Sequence, residues 1–162
     1  MLSFPIMRLF EPIGAVTLEQ KGLYYSFLAE ASRFGEGFLR LYYHTESRSV
    51  RVGLFCERGS GISCVGSISA RQLGLEEKGV FSVTEEPWLP LTVPLDGGML
   101  PPYALCRREG ELIRVIIPDG ERLPPEIMPY FCFLEPVNIE GHPCLSLCAD
   151  RHGWPVVPEI IG

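Results

Sequence analysis

The sequence predicts an all-β protein of short antiparallel strands, on the basis of two observations. Fifteen prolines and seventeen glycines interrupt short runs of alternating apolar and polar residues along the 162-residue chain, a pattern typical of many short strands. Related segments also recur along the chain, which favours a closed, repetitive architecture. We therefore expect a single domain over residues 1–162, with about ten to twelve strands in a β-trefoil-like barrel or, alternatively, in a two-sheet β-sandwich or split barrel.

The repeat centres on residues 18–30, with the sequence LEQKGLYYSFLAE. Its Leu-Glu-x-Lys-Gly returns at 75–79, and its Tyr-Tyr-Ser-Phe-Leu corresponds to Tyr-Phe-Cys-Phe-Leu at 130–134. An offset of 106 positions aligns 8–50 with 114–156 and matches ten residues of 43, where composition alone would give about three. The matched pairs are Arg8/Arg114, Pro12/Pro118, Gly14/Gly120, Tyr24/Tyr130, Phe27/Phe133, Leu28/Leu134, Gly35/Gly141, Leu39/Leu145, Leu41/Leu147 and Val50/Val156. The pattern predicts three related units at about 6–50, 51–111 and 112–162, with the general self-resemblance of all-β chains as the alternative explanation.

The first unit is predicted to contain two hairpins. Pro12 and Gly14 are expected to end the first strand, and the polar residues 45–48 are expected to form the turn of the second hairpin. In the third strand, the more apolar face carries Leu23, Tyr25, Phe27 and Ala29. The predicted strands are 6–10, 15–18, 23–31, 38–43 and 50–56, with a loop at 32–37.

The second unit combines strands at 62–68 and 79–84 with a short helix. Ser67 or Ser69 is expected to cap this helix, which ends at Gly74. Before them, Arg58-Gly-Ser-Gly61 is predicted as a hairpin turn, because it lacks the Gly-Lys-Ser/Thr ending of a phosphate-binding loop.

The segment 87–102 is rich in proline and glycine. We predict a crossover or a boundary here, with a linker between two small domains as the alternative. Four of its residues alternate as in an edge strand, where prolines are tolerated: Leu89, Leu91, Val93 and Leu95.

The chain after residue 102 repeats the hairpin pattern. Glu140 and Gly141 are expected to form the turn before its last strand, and the apolar ending 154–162 is expected to pack onto the body of the domain. The predicted strands in this part of the chain are 105–107, 111–117, 130–134 and 144–149.

Charge and hydropathy exclude several classes of function. The formal net charge is −6 and the pI is near 5.1, so the chain presents no basic face to nucleic acid or to an anionic membrane. No apolar run reaches the roughly 18 residues that a spanning helix needs. Residues 1–10 lack the features of a signal peptide, and we expect a cytoplasmic protein.

Six cysteines are expected to be free thiols, mostly buried as small hydrophobic residues. They lie mostly within apolar strand patterns, and disulfides are rare in cytosolic proteins. Their positions are Cys56, Cys64, Cys106, Cys132, Cys144 and Cys148.

The sequence contains none of the common enzyme motifs, such as Gly-x-Ser-x-Gly, His-Glu-x-x-His or Cys-x-x-Cys. We therefore predict no catalytic, cofactor-binding or metal-binding residue, and no cofactor. One local cluster would share a face of an unbroken strand and offer zinc ligands or a Cys-His nucleophile: His142, Cys144, Cys148, Asp150 and His152. Residues two apart on a strand lie about 6.6 Å apart, which favours a structural role for the two cysteines.

Tyrosine pairs at 24–25 and 42–43 are expected to place one ring inside and one outside each strand. Aligned outward rings would form an aromatic platform that binds a sugar or a protein, and ordinary cross-strand packing is the alternative. Trp88 and Trp154, each beside a proline, would extend such a surface.

These observations leave three hypotheses for the function. The first is a non-catalytic binding or adaptor protein that holds a protein or a glycan, with no role for nucleic acid or a membrane. The second is a small metal- or thiol-dependent enzyme centred on residues 142–152. The third is a structural subunit of a homo-oligomer that pairs through the edge at 89–95.

Overall fold

The computed structural model describes residues 1–35, 37–90, 104–123, 125 and 128–157, together with the backbone of 94–95 and 98–99. The chain divides into two compact units, Met1–Pro87 and Trp88–Gly162. Their boundary lies at the start of the Pro- and Gly-rich segment, where the sequence predicts a crossover or a boundary. Nearly all of the secondary structure is strand, which confirms the all-β prediction. That the two units constitute a single domain stays a prediction.

The first unit is one curved sheet of eight strands with a one-turn helix. Its elements are β1 (Leu2–Arg8), β2 (Glu11–Lys21), β3 (Tyr24–Ser32), β4 (Arg40–His44), β5 (Ser49–Leu54), β6 (Cys56–Arg58), β7 (Gly61–Ser69), α1 (Ala70–Leu73) and β8 (Val80–Ser82). The strand order is β5-β4-β8-β1-β2-β3-β7-β6. Strands β1 and β8 pair in parallel, and the other neighbours pair antiparallel.

The two edge strands of this sheet are consecutive in the chain. Strand β5 pairs with β4, strand β6 pairs with β7, and only Phe55 separates them. The Phe55 N–H donates to the carbonyl of Leu39 at 2.9 Å. The sheet therefore curls into a nearly closed barrel, because one stretch of chain supplies both of its edges. We call the junction of β5, Phe55 and β6 the seam.

Alternate residues of the strands fill the barrel interior. Phe27 fits there because its partner on β7, Gly66, has no side chain. A Cβ at Gly66 would lie 2.9 Å from Phe27 Cζ, and a Cβ at Gly53 would overlap the Sγ of Cys64. The buried interior residues are Ile6, Val16, Leu18, Phe27, Ala29, Ala31, Leu41, Tyr43, Phe55, Ile62, Cys64, Ile68, Leu73, Phe81 and Val83.

The second unit contains a four-stranded antiparallel sheet in the order β11-β12-β14-β13. Leu89 adds a bridge to the edge of this sheet through two backbone hydrogen bonds with Cys106. The strands of the unit are β9 (Pro94–Leu95), β10 (Gly98–Met99), β11 (Leu105–Glu109), β12 (Leu112–Pro118), β13 (Glu135–Ile139) and β14 (His142–Ala149), with a 3-10 helix over Met128–Phe133. One face packs on a core of Ala104, Cys106, Ile113, Val115, Ile117, Leu147 and Ala149.

Several local predictions are confirmed. The Thr45 N–H donates to the Arg48 carbonyl at 2.9 Å and closes the predicted turn. Ser69 caps α1 by accepting from the Gln72 N–H, and Gly74 ends the helix in the left-handed conformation. Residues 58–61 form the turn between β6 and β7.

The predicted ending of the first strand is wrong. Strand β1 ends at Arg8, and both Pro12 and Gly14 lie inside β2. Pro12 is tolerated because β3 pairs with β2 only from Gly14 onward, so the missing proline N–H is not needed on that side. Gly14 allows β3 to approach closely, since a Cβ there would overlap the Glu30 carbonyl oxygen.

The strand predicted at 130–134 is also wrong, because Met128–Phe133 forms a 3-10 helix. The aromatic residues of this run favour a strand. Pro129, however, lacks the N–H that a strand ladder requires, and it fits the first turn of a helix.

The secondary structure does not confirm the threefold repeat. Its first segment spans the end of β2 and most of β3, its second contains β8, and its third contains the 3-10 helix. The boundary after Pro87 falls inside the predicted second unit. Much of the edge strand predicted at 89–95 lies outside the described residues.

Candidate functional site

The predicted cluster at 142–152 does not form one row of side chains. Strand β14 ends at Ala149, so Asp150 and His152 lie in the turn that follows. The Asp150 carboxylate accepts the N–H groups of Trp154 at 3.0 Å and His152 at 2.8 Å. These hydrogen bonds hold the pKa of Asp150 below its ordinary value. They give its carboxylate a structural role in the turn.

The two cysteines of β14 are buried. Burial raises the pKa of both the Cys144 and the Cys148 thiols, which opposes the thiolate form that a nucleophile or metal ligand needs. Among the described residues, no group of three or more His, Cys, Asp or Glu side chains is placed to hold a metal ion. The geometry therefore supports a packing role for Cys144 and Cys148.

A buried hydrogen-bond network surrounds His44, which is 1% exposed. Its Nε2–H donates to the Thr84 carbonyl at 3.0 Å and lies 2.9 Å from Ser82 Oγ. The Thr84 carbonyl only accepts, so Nε2 carries the proton, and Nδ1 accepts from the Ser49 hydroxyl at 2.7 Å. Burial lowers the pKa of His44, although the bond to Thr84 opposes this effect.

The His44 and Ser49 pair has the spacing of an activated nucleophile and its base. The two residues lie directly opposite each other at the end of the β4–β5 hairpin. Neither residue lines the two clefts described below, and a nucleophile needs room for a substrate. We therefore interpret the pair as a structural clasp of the hairpin.

The tyrosine pairs do not build an aromatic platform. Tyr42 and Tyr43 are both buried, which corrects the expectation that one ring would point outward. The Tyr42 ring stacks on His44, with centroids 5.9 Å apart. Tyr24 is 56% exposed, but Leu23, predicted on the apolar face of β3, precedes the strand and is exposed.

A concave and largely apolar surface of the first unit lies at the seam. A cleft of about 460 Å³ opens there. Its walls carry two exposed apolar side chains, Phe38 at 85% and Leu54 at 46% exposure, and buried Phe55 and Ile62 also line it. The described residues that line it are Arg33, Gly37, Phe38, Leu39, Leu54, Phe55, Cys56, Glu57 and Ile62. We call this feature the seam cleft.

Polar groups also line the seam cleft. Arg33 forms an ion pair with Glu57 across it, and both side chains are well exposed. Cys56 is an exposed free thiol at the start of β6. An apolar centre with polar residues around it is the usual anatomy of a binding surface.

A smaller depression of about 300 Å³ adjoins the seam cleft and shares Leu54 with it. Arg40 and Arg51 line it together with the chain at 52–54. Within the part of the chain that the structure describes, neither arginine side chain makes a hydrogen bond or an ion pair. We call this depression the arginine pocket.

The sequence predicts neither feature. Phe38 is expected to begin a strand, yet β4 begins at Arg40 and leaves Phe38 in the preceding loop. A local signal was available in Gly35 and Gly37, which adopt positive φ values of 67° and 99° and turn the chain before Phe38. The closeness of the loop to the seam depends on long-range pairing, which local patterns do not encode.

No protein-family model, no curated protein and no solved structure matches the chain. Among the described residues, no helix combines the length and the apolar character needed to cross a membrane.

Proposed function

We propose that the protein is a non-catalytic binding protein that holds a protein partner in the seam cleft. The observation that supports this most is the exposure of Phe38, 85% accessible on the wall of a 460 Å³ cleft. Burying an exposed phenylalanine side chain against a partner contributes about 1.5–3 kcal/mol. Such an anchor in a concave apolar site is typical of the residues that dominate binding energy.

A protein fits this cleft better than a glycan does. Sugars stack on flat exposed rings that are surrounded by hydrogen-bonding groups, whereas Leu39, Leu54 and Ile62 give the cleft aliphatic walls. The tyrosines that would form a sugar platform, Tyr42 and Tyr43, are buried. An apolar side chain of a protein partner matches the lining.

We place this function in the cytoplasm. All six cysteines are free thiols, including the exposed Cys56 and Cys132. Exposed free thiols are kept reduced in that compartment.

The test is selection of peptides from a displayed random library on the full chain, followed by affinity measurements with two variants. Phe38→Ser removes the anchor without touching the core. Val65→Ser is the matched control, because Val65 is 71% exposed on β7 and does not line the seam cleft. We expect selected peptides to share an apolar residue and to lose at least about tenfold in affinity with Phe38→Ser, while Val65→Ser binds as the wild type does.

Equal binding by both variants would show that the seam cleft is not the site. Failure to select any peptide, together with Phe38-dependent binding to a glycan array, would overturn the proposal in favour of a sugar ligand.

A further inference from the structure

We propose that the partner segment carries a carboxylate beside its apolar anchor, and that Arg40 and Arg51 bind this carboxylate. This inference rests on the proposed function, because the arginine pocket adjoins the seam cleft. It specifies the partner as an acidic, apolar peptide segment.

The first argument is the position of the two arginines. They line one depression of about 300 Å³, and the described residues offer no acidic partner to either. Two like charges on one small surface repel each other, and an anion placed between them relieves that repulsion. Guanidinium groups match the two oxygens of a carboxylate with paired hydrogen bonds.

The second argument is the β-bulge that brings them to one pocket. In the β4–β5 pair, Arg40 lies opposite Leu54, but the register then shifts between Leu41 and Tyr42. After this shift Tyr42 lies opposite Arg51, so Val52 has no partner of its own. A bulge of this kind redirects neighbouring side chains, and it places Arg51 beside Arg40 around a single depression.

The third argument is distance. Along the chain through the seam, residues 51–54 line the arginine pocket and residues 54–57 line the seam cleft. The two sites are therefore offset by three residues, or about 10 Å of extended chain. An extended partner would bridge them with an apolar residue and a carboxylate about two to four positions apart.

Charge complementarity favours an acidic peptide over a second copy of the chain as the partner. The chain has a net charge of −6, so two copies repel at long range, whereas one acidic side chain is attracted locally to Arg40 and Arg51. A copy that docked would still have to place an apolar side chain and a carboxylate at the stated spacing.

The test uses synthetic peptides in a Gly/Ser background with one Phe and one Glu at each spacing from adjacent to about five residues apart, in both orders. Each has a matched peptide with Gln in place of Glu. Fluorescence polarisation compares the wild type with the double variant Arg40→Gln/Arg51→Gln. Arg58→Gln is the control, because Arg58 is an exposed arginine of β6 that lines neither site.

We expect one spacing at which the Glu peptide binds the wild type about tenfold more tightly than its Gln counterpart. That ratio should fall to about one in the double variant and persist in Arg58→Gln. Raising the salt concentration should weaken the Glu peptide more than the Gln peptide, because exposed charges are screened.

Other outcomes separate the two proposals. Phe38-dependent binding with equal affinity for Glu and Gln peptides would overturn the carboxylate inference and leave the proposed function intact. The absence of any Phe38-dependent binding would overturn the proposed function and with it this inference. Concentration-dependent self-association that disappears in Phe38→Ser would identify a second copy of the chain as the occupant of the seam cleft. That result would also overturn the carboxylate inference.

Discussion

Replacement of Gly53 by alanine tests the closure of the barrel. The Cβ of the new alanine would overlap the Cys64 Sγ, while the next nearest atom, Phe27 Cζ, would lie at 3.4 Å in ordinary contact. Gly53 has no positive φ, so the backbone accepts alanine. Overpacking costs about 1–3 kcal/mol, and stiffening of the unfolded chain returns about 0.4–1 kcal/mol. We expect a net loss of about 1–2 kcal/mol in the free energy of unfolding.

Cys64→Ala should rescue this loss, because it removes the only atom that the new Cβ overlaps. Alone, Cys64→Ala costs about 1 kcal/mol for its buried sulfur. The double variant should be close to that value, with a coupling energy of about 1–2 kcal/mol. Gly66→Ala is the matched control, since the atoms nearest its Cβ belong to Phe27. Its coupling to Cys64→Ala should stay below about 0.5 kcal/mol.

The assay is urea-dependent hydrogen exchange of the backbone amides of β3 and β7. Both tryptophans, Trp88 and Trp154, lie in the second unit, so tryptophan fluorescence would not follow the barrel. Two results would show that β5 does not pack against Cys64 and that the barrel is open at the seam. One is an unchanged free energy of unfolding in Gly53→Ala, and the other is a loss in Gly53→Ala that Cys64→Ala does not reduce.

Three further results are expected. His44 has a lowered pKa because it is buried, so at acidic pH the unfolded chain binds a proton that the folded chain excludes. The free energy of unfolding should therefore fall as the pH drops below about 6.5, by at most about 1.4 kcal/mol per pH unit. Urea titrations of the wild type and of His44→Gln would show this extra pH dependence in the wild type alone. Ser69→Ala should cost about 1 kcal/mol through loss of the cap of α1, and a Ser69→Asn variant with equal loss would contradict the capping role. Ellman's reagent should label Cys56 and Cys132 of the native protein rapidly, because both are exposed, and should spare the four buried thiols until denaturant is added. Fast labelling of a third thiol would contradict the burial of these four cysteines.

Local chemistry explains what the sequence predicts correctly. The turn at 45–48, the Ser69 cap and the turn at 140–141 each depend on a few neighbouring residues. At the last of these, Glu140 and Gly141 adopt φ values of 51° and 86°, as a two-residue hairpin turn requires.

Long-range pairing decides the features that the sequence does not predict. Pro12 and Gly14 locally indicate a strand end, but both lie inside β2. Pro12 is tolerated because β3 pairs with β2 only from Gly14 onward, and Gly14 leaves room for the close approach of β3. Strand alternation predicts one outward ring in the pair 42–43, yet both rings are buried and Tyr42 stacks on His44. The seam cleft arises where residues far apart in sequence, such as Arg33 and Glu57, meet across the barrel closure.

Chemical-shift mapping of a selected peptide on the isotopically labelled full chain would locate the binding surface residue by residue. If the peptide binds in the seam cleft, the shifted amides should cluster at 37–40 and 51–57. The amide shifts of Leu28 and Val65, on the outer wall of the barrel, should stay unchanged. Shifts centred on that outer wall, or confined to the second unit, would contradict the assignment of binding to the seam.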